Sequence, residues 1–194
     1  MSLFNEADLR KRAQTRSSRF SETTIDSLNK SISAAAARSE FDVFLSHSYL
    51  DKELILGITD FLEKELGYSV YVDWKQDSQL SRENVTKETA EQLRIRILQS
   101  KSLFFATTEA AKESRWMPWE LGYMDGKKAK AAILPIAQRT ELGETYKGRE
   151  YLGLYPYVVP GRNTDGKSML WIHEDAKVYV SFERWLEGIQ PRQH

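Results

Sequence analysis

Apolar residues in this chain fall into short unbroken runs, separated by longer stretches in which they recur every three or four positions. The run "FDVFLS", Phe41 to Ser46, is β-branched and aromatic, and it predicts a first strand buried on both faces. After it, Leu54, Ile55, Ile58, Phe61, Leu62 and Leu66 share one face of a helix. Asp51 and Glu53 lie in that helix's first turn, and Gly67 sits where a left-handed residue would close it. "SVYV", Ser69 to Val72, predicts a second strand. Asn84 to Gln99 reads as a helix, with Val85, Leu93, Ile97 and Leu98 among its apolar positions, and "SLFFAT" from Ser102 as a third strand. A helix containing "WMPWELGYMDG" leads to a fourth strand, "AAILPI", Ala131 to Ile136. Strands alternating with helices predict a parallel sheet covered on both faces by right-handed crossovers, an α/β fold of the doubly wound kind.

The flanks are patterned differently. From Ser21 to Arg38 the residues Ile25, Leu28 and Ile32 recur at helical spacing, with Ser21 as cap, and predict a helix outside the core fold. Its single apolar stripe fits a linker or packing helix and equally an oligomer contact. Beyond Gln138, "LYPYVV" predicts a fifth strand, "SMLWIHEDAKVYVSF" a hairpin turning near Glu174 and Asp175, and "SFERWLEG" a short amphipathic helix. The expected division is an N-terminal helical extension over 1–39 and a main domain over 40–194, with a C-terminal extension from about 139.

Composition narrows the classes. With 194 residues, 41% of them apolar, the chain supports one sizeable core. Its 28 basic and 28 acidic residues cancel without forming a block of either sign, so nucleic acid is not an expected partner. The absence of cysteine excludes disulfides, thiolate catalysis and thiolate metal sites. No apolar run approaches the ~20 residues of a membrane span, and the charged N-terminus lacks a signal-peptide core, so no membrane partner and a cytoplasmic location are expected.

Ligands of parallel open sheets bind outside the carboxyl ends of the strands, here the loops after Leu45, Val72, Ala106 and Ile136. These loops hold Ser46, His47 and Ser48, then Asp73, Trp74, Lys75 and Asp77, then Thr107 to Trp116. No glycine-rich phosphate loop follows the first strand, and His47, His173 and His194 are not spaced as metal ligands, so no metal is expected. His47 by itself reads as a loop histidine held by backbone partners. Glu120 is the strongest candidate for chemistry. Pro118 is tolerated only near a helix start, which predicts Glu120 in the first turn. There it is either a carboxylate stabilised by free N–H groups and the helix dipole, or a reacting group beside a cluster of Trp116, Trp119 and Tyr123 suited to a flat ring. The residues alone leave both readings open.

Four segments carry a family likeness. "FDVFLSHS" resembles the opening strand and loop of the Toll/interleukin-1 receptor (TIR) domain, "GYSVYVDW" its second strand entering the BB loop, "SRWMPWELGYMDG" its W-x-x-x-E-L segment, and "ILPI" its fourth strand. The likeness runs in order and spacing from Glu40 to Ile136. It implies a flavodoxin-like parallel sheet and an enzyme that takes NAD as substrate, with no separate cofactor. Cleavage of the nicotinamide–ribose bond, of the NAD nucleosidase or ADP-ribosyl cyclase type, would give ADP-ribose or a cyclic or conjugated form of it. The same resemblance implies Glu120 as the catalytic residue and Phe44, Ser46, His47, Trp74, Lys75 and Trp116 as substrate-binding residues. A stand-alone producer of a diffusible signal, as in Thoeris-type anti-phage systems, is the expected role, with self-association and a separate effector responding to the product. Two departures stand out: the loop "DWKQDSQLSRENV" has no glycine, and Pro118 interrupts the W-x-x-x-E segment. The rival readings are a non-catalytic TIR–TIR interaction module and a nucleoside deoxyribosyltransferase-like enzyme.

Overall fold

The computed structural model describes residues 2–20, 38–72, 86–108, 110–138, 145–148 and 150–194. The helix expected from Ser21, with its Ile25, Leu28 and Ile32 stripe, and the loop carrying Trp74 and Lys75 lie outside the described residues. The four expected strands are β2 (Phe41–Ser46), β3 (Val70–Tyr71), β4 (Ser100–Thr107) and β5 (Ala131–Ala137). They lie parallel in the order β3-β2-β4-β5, and β6 (Tyr157–Arg162) continues the parallel set. The sheet then turns antiparallel through β7 (Ser168–His173), β8 (Val178–Ser181) and β9 (Arg192–Gln193). The fold is thus the expected α/β type, its parallel sheet flanked by helices.

Strand alternation explains why the runs are apolar without a break. Val43, Leu45, Phe104, Ala106 and Leu134 face one side, while Phe44, Leu103, Phe105 and Ile133 face the other. The first side is covered by α2 (Lys52–Asp60), which continues as a wide turn over Phe61–Glu65 and is closed by Gly67 at φ +79°. The second is covered by α3 (Lys87–Leu98) and α4 (Trp116–Lys128), through Leu93, Ile97, Met117, Leu121 and Met124. Thr86 caps α3, its hydroxyl accepting from the Thr89 N–H at 3.2 Å.

Two elements were not legible in the pattern. β1 (Phe4–Asn5) pairs in parallel with Ile136 and Ala137 at the top of β5, and α1 (Glu6–Phe20) packs Leu9 and Ala13 into the first core cluster. The segment expected as an extension is therefore joined to the core from Phe4 to Ala13. Gly57 makes this packing close, because a Cβ there would lie 2.2 Å from the Leu9 carbonyl oxygen. The hairpin turns where expected, at Glu174 and Asp175: Asp175 Oδ1 accepts from the N–H groups of Lys177 and Val178 at 2.7 and 2.9 Å. The fifth strand begins at Tyr157 rather than Leu154, which instead ends a 3₁₀ turn over Glu150–Leu154.

Candidate active site

Ser46 is the last residue of β2 and pairs in register with Phe105 of β4. Being two residues from Phe44, it points to the face that α4 covers. There the Ser46 hydroxyl donates to Glu120 Oε2 at 2.6 Å, both residues being almost fully buried. This joins the end of one central strand to the helix that follows the next, at the crevice where the strand order reverses.

One expectation is corrected. Helix α4 begins at Trp116, so Glu120 is its fifth residue and the first turn contains no acidic group. Pro118 does not displace the helix start, since it is the third residue and its missing N–H belongs to the four that have no intrahelical acceptor. Glu120 lies past the turn where the helix dipole acts most strongly, which weakens the capping reading. Trp116 and Glu120 are both inside one continuous helix and keep their i, i+4 relation.

Around this pair the structure gathers part of the expected set. His47 is buried, and its Nδ1–H donates to the Leu45 carbonyl at 2.9 Å; a carbonyl only accepts, so this bond fixes the proton on Nδ1. Phe44 lies beneath, buried against the tilted ring of Tyr71 at 5.3 Å. Trp116 meets Trp119 edge-on at 5.4 Å, and Trp119 stacks on Tyr123 at 5.6 Å under the Arg94 guanidinium. The aromatic cluster read from the sequence exists, with Trp119 occupied by Tyr123 and by Arg94 of α3. Among the described residues no group of three or more His, Asp or Glu side chains is placed to hold a metal ion.

A cleft of about 900 Å³ adjoins this site above the ends of β4 and β5. The two share the start of α4: Ser114, just before the helix, and Pro118 within it line the cleft, while Glu120 faces Ser46. Asp51, Thr107 and Thr108 form part of its floor, and Tyr146, Lys147 and Tyr151 form its outer wall. Thr108 donates its hydroxyl to Asp51, and burial pushes the Asp51 carboxyl above its ordinary range. Thr107 and Thr108 fall among the loop residues that the sequence singles out, whereas Asp51, Tyr146, Lys147 and Tyr151 do not, because the Thr108–Asp51 contact joins positions 57 apart and the outer wall carries no motif.

A parallel sheet in this order, with a buried glutamate reaching the crevice from the helix after the third strand of the parallel set, is the arrangement of a TIR domain. No family profile matches the chain. It is 53% identical over 148 residues to the probable 3′ cyclic ADP-D-ribose synthase ThsB′ of Bacillus cereus strain MSX-D12, an alignment covering 76% of each chain. It is 40% identical over 116 residues to the putative cyclic ADP-D-ribose synthase TIR2 of Cytobacillus dafuensis, covering 59% of this chain and 30% of that one. The chain belongs to the family of bacterial TIR proteins that includes ThsB′.

Proposed function

We propose that this protein cleaves the nicotinamide–ribose bond of NAD and closes the remaining ADP-ribose on itself, making a cyclic signal in anti-phage defence. The observation that carries the reading is the buried Glu120 carboxylate, held by the Ser46 hydroxyl at 2.6 Å in the crevice of the parallel sheet. The names of the two relatives support the reaction class.

The chemistry follows from charge. As the C1–N bond breaks, its electron pair leaves with neutral nicotinamide and the ribose carbon gains oxocarbenium character. A carboxylate fixed beside it in a water-poor site stabilises that charge without reorganising. Ser46 orients the Glu120 carboxylate through a charge-assisted hydrogen bond. A hydroxyl of the adenosine ribose then bonds to the same carbon, and its proton passes through Glu120 to solvent, so that NAD gives nicotinamide, cyclic ADP-ribose and a proton. Water at that carbon would give linear ADP-ribose instead, the nucleosidase outcome.

Mass analysis of the products tests the reaction class. Cyclic ADP-ribose is lighter than the linear form by one water, and its accumulation from NAD is the expected result. Linear ADP-ribose alone would make the protein a nucleosidase. Consumption of deoxynucleosides with NAD untouched would point to the deoxyribosyltransferase reading.

A further inference from the structure

Cyclisation places a demand on geometry that the Glu120–Ser46 pair does not meet alone: both halves of the dinucleotide must be held, so that the adenosine ribose faces the other ribose. We propose that the cleft above β4 and β5 holds the adenylate half of the substrate, with Tyr151 and Lys147 on its rim as binding residues. This rests on the NAD-cyclising reading of Glu120.

Four observations converge on that cleft. Its volume of about 900 Å³ lies within the range of small-molecule sites. It abuts the candidate active site, since its floor residue Phe105 is the register partner of Ser46, and Ser114 and Pro118 in its wall adjoin or belong to the helix that carries Glu120. Its lining contains groups that match those of a nucleotide: the aromatic rings of Tyr146 and Tyr151 for a base, the positive charges of Lys112 and Lys147 for a pyrophosphate, and the carboxyl groups of Asp51 and Glu150 for ribose hydroxyls. Its outer wall is built rather than loosely draped. The chain doubles back so tightly that a Cβ on Gly148 would lie 2.5 Å from the Gly153 nitrogen, and Glu150 adopts φ +52° between them. Tyr151 is 42% exposed and Lys147 is exposed, so both side chains are accessible to a ligand entering from solvent.

The probe is adenosine monophosphate, the adenylate half by itself, titrated calorimetrically into wild type, Tyr151→Ala, Lys147→Glu, Glu120→Gln and Leu154→Ala. Leu154 is 83% exposed and does not line the cleft, so its variant is the control. The expected result is binding by wild type, Glu120→Gln and Leu154→Ala alike, and weakening by about tenfold in Tyr151→Ala, the size of one base–aromatic stacking contact. Lys147→Glu should weaken binding too, increasingly so at low salt. Absence of binding by the wild type, or equal binding by both rim variants, would overturn the proposal. Because Glu120→Gln leaves the cleft intact, failure of the catalytic reading shows separately, as NAD left uncleaved by a protein that still binds adenosine monophosphate.

Discussion

Ser46 and Glu120 show how much a single contact adds to a motif. The sequence singles out both residues, but nothing in their spacing of 74 positions says that one donates to the other at 2.6 Å. The account expects Ser46→Ala to keep the fold and to lower kcat by ~10-fold, because it removes the bond that orients the Glu120 carboxylate; a rise in KM alone would make Ser46 a substrate contact instead. Steady-state kinetics with circular dichroism as a fold check would measure this. His173 makes a different prediction. It is 3% exposed, its Nδ1–H donates to the Asp175 carbonyl, and its ring stacks on Tyr179 at 4.9 Å. Burial, the first cause, holds its pKa below the ordinary value of about 6.5. The unfolded chain therefore binds a proton that the native state refuses once the pH falls below about 6.5, and stability drops from there toward the lower native pKa. Urea unfolding at pH 7 and pH 5 should show this fall, and His173→Phe, which keeps a ring but cannot titrate, should reduce it.

At the scale of elements, legibility followed the density of apolar residues. β2, β4 and β5 carry four or more buried side chains each and were read in place. Helix α1 was not, because among its described side chains it buries only Leu9 and Ala13 in the core, and many of its other contacts are ion pairs: Arg12 with Asp60 and Glu65, and Arg10 with Glu53. Such pairs involve residues far apart in sequence and leave no periodic trace. The α1–α2 contact also depends on Gly57, whose lack of a side chain admits the Leu9 carbonyl. Gly57→Ala should destabilise the protein by ~1–3 kcal/mol, since the overpacking outweighs the ~1 kcal/mol that alanine gains over glycine in a helix. Chemical denaturation would show a lower midpoint with an unchanged slope; a higher midpoint would mean that α1 is not packed as described.

For the whole molecule, strand order and family likeness together point to the carboxyl ends of the central strands, where the structure brings Ser46 to Glu120. Pro118 misplaces Glu120 by part of a turn, because a proline suggests the first helical position and this one stands two residues inside the helix. Strand order names two of the loops that line the neighbouring cleft, after Ala106 and Ile136, but not the cleft itself, which is assembled from five separate parts of the chain and exists only once the sheet has formed. The central claim is that Glu120 is a reacting group. Its most direct test is nicotinamide release from NAD by concentrated wild type beside Glu120→Gln, a substitution that keeps the size of the side chain and an oxygen to accept from Ser46. The account predicts release by the wild type and a loss of at least ~10²-fold in the variant, the scale of removing one preorganised electrostatic group. Equal release by the two proteins would contradict it.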